Sequence, residues 1–151
     1  MELFNFRKNI HASAGLTLIE LLVVIVIIGI LATMGFTAVA RSRNKANNSR
    51  IQAEISQIRV QADLIKNETD SFSVLCAGNT LNDAGYPTTL KLIEDDVKIR
   101  SSTDVICYAT VNAYCVQAQM VPTGSGNYCI DSSGYAGTSP AACDDTNFDC
   151  N

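Results

Sequence analysis

Residues 21–40 read LLVVIVIIGILATMGFTAVA, twenty positions without a charge. At about 1.5 Å of rise per residue, a helix of that length spans roughly 30 Å, the thickness of a bilayer's hydrocarbon core. One carboxylate, Glu20, sits just inside this apolar segment, where an ionised acid needs a partner or a route to water. Gly15 precedes the segment, and a short basic leader with Arg7 and Lys8 precedes the glycine. These four features have to be explained together. A secretory signal peptide does not explain them. The stretch is longer than the usual h-region of about 7–15 residues, and no small-residue cleavage site follows it cleanly.

Charge is unevenly spread along the 151 residues. Arg41, Arg43, Lys45 and Arg50 follow the apolar run, whereas from Asn67 onward eleven acidic residues face three basic ones, Lys91, Lys98 and Arg100. An acidic distal region argues against direct nucleic-acid binding there. All six cysteines, at 76, 107, 115, 129, 143 and 150, lie beyond the run, and no two are spaced C-x-x-C. An even count in a small domain behind a membrane segment points to three disulfides in an oxidising compartment, with free buried thiols as the alternative. The excess of Lys and Arg downstream of the run opposes a simple positive-inside orientation. The cysteines weigh more, and place the distal domain outside.

No proline occurs before Pro87, so the helix of the apolar run is expected to continue. Ile51, Ile55, Ile58, Ala62 and Ile65 recur at spacings of 4, 3, 4 and 3, with Gln52, Glu54, Gln57, Arg59, Gln61 and Asp63 on the other face. That is helical periodicity with one apolar stripe for a domain to cover. Arg50–Glu54 and Arg59–Asp63 are i,i+4 pairs. The expectation is one helix over residues 16–66, close to 75 Å long at about 1.5 Å per residue, apolar all round over 16–40 and amphipathic over 41–66. Gly29 and Gly35 are six apart, which is not a G-x-x-x-G motif. Asn67-Glu68-Thr69 matches a glycosylation sequon, a frequent chance match.

Residues 67–151 are expected to form a globular domain. Turn-forming composition over 67–89 leads to a short helix around 89–96, then strands over 105–110, 113–121 and 127–131, with Pro122-Thr123-Gly124-Ser125-Gly126 as a hairpin loop. Tyr114, Val116, Ala118 and Met120, with Tyr128 and Ile130, should face the helix. Cys115 and Cys129 then share the outer face of adjacent strands, which suggests pairing them. Cys143 and Cys150 bracket a tail and suggest a closed loop, leaving Cys76 for Cys107, although six cysteines allow fifteen connectivities. The fold class is α+β: a long N-terminal helix on a small antiparallel sheet, with disulfide-rich C-terminal loops.

Nothing points to catalysis, a cofactor or a metal. There is no P-loop, zincin motif or G-x-S-x-G, and the one histidine, His11, lies in the leader. Asp144, Asp145 and Asp149 lack an EF-hand pattern and read as a solvated acidic loop.

The segment Gly15-Leu16-Thr17-Leu18-Ile19-Glu20 with its uninterrupted apolar run resembles the class III signal of type IV pilins and pseudopilins. The resemblance covers about residues 7–35. It departs from the family at Leu16, where Phe is common, and at Gly35-Phe36-Thr37, where many pilins carry a proline. It implies that residues 1–15 are a leader. A membrane prepilin peptidase and methyltransferase would cut between Gly15 and Leu16 and methylate the Leu16 amine. It further implies that Glu20, with Thr17, serves assembly, the Glu20 of one subunit neutralising the Leu16 amine of a neighbour. The implied life history is a single-pass precursor in the cytoplasmic membrane, in contact with lipid, and then a surface filament of identical copies. A separate assembly ATPase and its membrane platform would drive that transition. A pseudopilin of a type II secretion system shares the same signal. An extracellular binding domain on a single-span anchor is the alternative of a different class.

Overall fold

The computed structural model describes residues 15–82, 84, 88–139 and 143–150, and over 34–37 the backbone alone. The leader expected over 1–15, with His11, therefore lies outside the described residues except for Gly15. The chain divides after Val39 into two units. Helix α1 covers Leu18–Thr69, three residues longer at its C-terminal end than the sequence periodicity suggests. Its end is set by Asp70, in the left-handed conformation at φ 55°. The Asp70 amide donates to the Lys66 carbonyl at 2.9 Å. Asp tolerates this conformation better than most residues, and Lys66 in the last turn suits the negative end of the helix.

In the second unit the amphipathic part of α1 is the floor of the core. Ile51, Ile55, Ile58, Ala62 and Ile65 are all buried. Burying an isoleucine side chain is worth about 1.5–3 kcal/mol, so this stripe is a major apolar contribution to the core. Against it pack Leu75, Leu81 and Val105, the apolar face of helix α2 over Thr89–Ser101, and one face of a sheet. Helix α2 buries Leu90, Ile93, Val97 and Ser101 at helical spacing and stops at Ser102, at φ 60°. Arg50 ties the two helices together, reaching Glu54 at 2.7 Å and Asp96 at 3.4 Å, while Arg100 holds Asp96 through two nitrogens. No Arg59–Asp63 ion pair forms among the described residues; Arg59 donates to the Tyr135 carbonyl instead.

A two-residue pair, β1 (Cys76–Ala77) and β2 (Thr80–Leu81), precedes α2. The main sheet is an antiparallel meander of β3 (Ile106–Ala109), β4 (Tyr114–Gln119), β5 (Asn127–Asp131) and β6 (Ala136–Ser139), in that order. Tyr114, Val116, Ala118 and Ile130 face α1, as strand parity indicates, and Phe72 meets Tyr114 edge-on at 4.9 Å. The β4–β5 loop requires glycine at Gly126, which sits at φ 90° against the Thr138 methyl. Asn48 of α1 clamps the start of that loop, its amide oxygen accepting from Val121 N at 2.8 Å and its nitrogen donating to Val121 O at 2.7 Å. Strand β6 was not foreseen, because its sequence, AGTS, has little strand propensity. Its register against β5 comes from the turn between them.

The outer face of the sheet is buried too, beneath the C-terminal tail. Cys115, Cys129, Cys143 and Cys150 form a second apolar cluster with Ile106, Tyr108 and Tyr135. Cys76 is bridged to Cys107, but the expected Cys115–Cys129 and Cys143–Cys150 bridges are not formed. Cys115 is joined to Cys143 and Cys129 to Cys150, each with Cα atoms 5.9 Å apart. The register explains the correction. Cys115 stands opposite Asp131, and Cys129 opposite Gln117, so the two strand cysteines are diagonal neighbours. Diagonal positions lie about 7–8 Å apart, beyond ordinary disulfide reach. Each strand cysteine therefore takes one cysteine of the tail and stitches it across the sheet. Peptide mapping under non-reducing conditions is expected to yield Cys115–Cys143 and Cys129–Cys150 peptides. Recovery of a Cys115–Cys129 peptide would overturn the assignment.

Asp131, 1% exposed, organises this outer layer. Its Oδ1 accepts from Ser133 N, Ser133 Oγ and Tyr135 N, and its Oδ2 from Cys150 N at 2.9 Å. Burial pushes this carboxyl up, but the donors from Ser133, Cys150 and Tyr135 prevail and hold it below the usual carboxylate range. A depressed carboxylate contributes stability that is complete above its unfolded value of about 4 and is lost as pH falls through the lower folded value. Asp131→Asn is expected to cost about 1–3 kcal/mol at neutral pH, because an amide nitrogen then faces a donor. Wild type is also expected to lose more thermal stability than Asp131→Asn between roughly pH 4 and pH 2. Equal acid sensitivity of the two proteins in thermal melts would remove Asp131 from this role.

Candidate functional site

The candidate site is the start of α1. Gly15, Leu16 and Thr17 are non-helical, and the helix begins at Leu18. What starts it is a reciprocal cap between two side chains three residues apart. Thr17 Oγ1 accepts from Glu20 N at 3.3 Å, and Glu20 Oε2 accepts from Thr17 N at 2.9 Å. The Thr17 hydroxyl also donates to Glu20 Oε2 at 2.9 Å. This is the capping box, T-x-x-E ahead of an apolar run, which satisfies two otherwise unpaired backbone donors and sets an anion at the positive end of the helix. The pattern is legible in Thr17-Leu18-Ile19-Glu20, and it adds a capping role to the assembly role that the sequence suggests for Glu20.

The structure thus brings Thr17 and Glu20 into contact within one chain. Glu20 Oε1 has no hydrogen-bond partner among the described residues. Among the described residues, no atom lies within 4 Å of where a Cβ at Gly15 would stand, and none of them requires a glycine there. Leu16 is 77% exposed, one residue before the cap.

Beyond the cap, every described side chain over residues 18–33 is exposed, including Leu21, Ile25, Ile28 and Leu31. An apolar surface that large and continuous requires a cover of lipid or protein. Thr33 within the run bonds its hydroxyl to the Ile30 carbonyl at 2.8 Å, so it adds no unpaired donor. Among the described residues, α1 is long and apolar enough to cross a membrane. In the acidic tail Asp144 Oδ1 is taken up by Thr146 N, Thr146 Oγ1 and Asn147 N, and among the described residues no three His, Cys, Asp or Glu side chains are placed to hold a metal.

No curated protein and no solved structure matches the chain. Residues 10–36 match the family model of the prokaryotic N-terminal methylation motif, an interval that takes in Gly15, Leu16, the Thr17–Glu20 cap and most of the apolar run. The chain carries the class III signal of type IV pilins and pseudopilins.

Proposed function

We propose that this chain is the precursor of a subunit of a type IV pilus-like surface filament. It is cut between Gly15 and Leu16, methylated at the new amine, held in the membrane by α1, and then assembled with copies of itself. The observation that carries the reading is the coincidence of the methylation motif with a capped helix start and an uncovered apolar run. The precursor is a substrate of a prepilin peptidase, and an assembly ATPase outside this chain drives its polymerisation. A pseudopilin of a type II secretion system shares the signal and is the second reading.

Glu20 serves two purposes in this scheme. Oε2 stays with Thr17 and keeps the first helical turn formed. A carboxylate has about four acceptor sites, so Oε1 remains able to take a second donor. Cleavage creates a cation at Leu16, and in an assembly of α1 helices that amine of a neighbouring subunit meets Oε1 at the same depth. An unpaired charge in an apolar core costs several kcal/mol. Apolar helices in lipid otherwise slide past one another with little preference. The pair therefore sets the register.

Gly15→Asp is expected to leave full-length, uncleaved chain in the membrane, read by intact mass, because Gly15 precedes the proposed junction inside the matched methylation motif. Normal cleavage of this variant would move the junction elsewhere. For Glu20, two variants separate capping from charge. Glu20→Ala removes both, whereas Glu20→Gln keeps a capping side chain and removes the charge. Both are expected to accumulate as processed subunit in the membrane at wild-type level, with sheared filaments reduced at least about tenfold, an effect of some 1.4 kcal/mol. Wild-type filament yield from Glu20→Gln alone would assign the residue to capping and remove the register pair.

A further inference from the structure

The described residues include nine Lys and Arg side chains, and six of them are engaged within the chain. Arg50 pairs with Glu54 and Asp96, Arg59 donates to the Tyr135 carbonyl, and Lys66, Lys91, Lys98 and Arg100 reach Asp70, Asp95, Asp104 and Asp96. The other three, Arg41, Arg43 and Lys45, are exposed and have no ion pair or side-chain hydrogen bond among the described residues. They begin at the first residue after the apolar run. At about 3.6 residues per turn, Arg41 and Lys45 fall on one side of α1 and Arg43 roughly opposite. No carboxylate occurs between Glu20 and Glu54, and Glu54 is already held by Arg50.

We propose that Arg41, Arg43 and Lys45 form a ring that gathers anionic phospholipid headgroups around the unassembled subunit. The inference rests on residues 21–40 spanning a membrane, the reading given above. A protein partner docks on one side of a helix, whereas a headgroup layer surrounds it, and only the second matches cations on opposite sides. Continuity with the apolar run selects lipid over free phosphate, since one molecule supplies acyl chains to the run and a phosphate to the ring. The long stems of Arg and Lys let each charge reach the headgroup level from slightly different depths. Ser42 and Asn44, interleaved with the cations, add groups able to bond phosphate and glycerol oxygens. The ring thereby makes departure from the bilayer costlier in an anionic leaflet than in a neutral one.

The test uses the full chain reconstituted in phosphatidylcholine vesicles, with trace spin-labelled phosphatidylglycerol or phosphatidylcholine. Electron paramagnetic resonance reports the share of each lipid immobilised at the protein surface. One headgroup–cation contact corresponds to about a fivefold enrichment, so wild type is expected to favour the anionic probe at least about fivefold in low salt, with the preference falling as salt rises. The variant R41Q/R43Q/K45Q is expected to show a ratio near one. Flotation with vesicles, run alongside, tests the span separately. Wild type that floats but shows no lipid preference overturns the ring and leaves the span standing, and failure to float overturns both. A triple variant that keeps its anionic preference places the lipid contact elsewhere. If wild type lacks lipid preference and only the triple variant loses chemical cross-linking between copies, the ring docks on the acidic surface of a second chain, and the proposal is wrong.

Discussion

Everything in the distal unit depends on one stripe of α1, Ile51, Ile55, Ile58, Ala62 and Ile65. The sheet, helix α2 and the segment around Leu75 and Leu81 each bury one apolar face, and each finds its complement on that stripe. A domain of this size has limited core volume, so losing the stripe would leave three elements without a partner. The stripe was legible because helical periodicity needs nothing beyond the sequence, and its isoleucines fall at spacings no strand would produce. The inward set of β4 and β5 was legible for the same reason, with a period of two. Polar contacts then fix how these faces meet, since Asn48 on Val121 and Arg59 on the Tyr135 carbonyl join α1 to two of the three turns of the sheet.

The outer layer was only half legible. Parity places Cys115 and Cys129 on one face, but parity is blind to register. Whether two cysteines on adjacent strands lie opposite or diagonal depends on the loop between the strands, here residues 120–126 with two glycines at positive φ. A loop one residue different would change the pairing, and the sequence does not announce which geometry it takes. The tail posed a second difficulty. It has no periodicity because it forms no regular element, and its burial comes from Cys143, Cys150 and the Asp131 carboxylate rather than from a hydrophobic pattern. Closing loops of 21 and 28 residues across a sheet restricts the unfolded chain, by about 3–4 kcal/mol per bridge. The same cysteines closed locally would leave the outer face of β4 and β5 bare.

At the other end of the chain one sequence signal carries more than one purpose. Thr17 and Glu20 stand three apart in front of an apolar run, a capping box inside the matched methylation motif, and the proposed register pair gives Glu20 a second use. The two uses are compatible because they engage different atoms. The cap occupies Oε2 and the helix begins after Gly15–Leu16, which are non-helical, while Oε1 has no partner among the described residues. A glutamine would serve the first use and an uncapped acid the second; a glutamate three residues after a threonine serves both.

Charge and disulfides give opposing accounts of which side of a membrane the distal unit occupies, and physical scale decides between them. The charge bias that sets orientation acts through short loops and through residues near the ends of the span, whereas long domains cross largely regardless of their charge. Beyond the apolar run lies the unit Ala40–Asn151, far larger than a short loop. The three cations at 41, 43 and 45 therefore carry little weight as an orientation signal. Three disulfides carry more, because in a reducing compartment the outer cluster would lose the bonds that hold the tail to β4 and β5. Under the proposed function, that asymmetry favours outward placement of the domain. On the same proposal, Arg41, Arg43 and Lys45, which have no ion pair among the described residues, stand at the outer headgroup layer, where an anionic surface can engage them without opposing translocation.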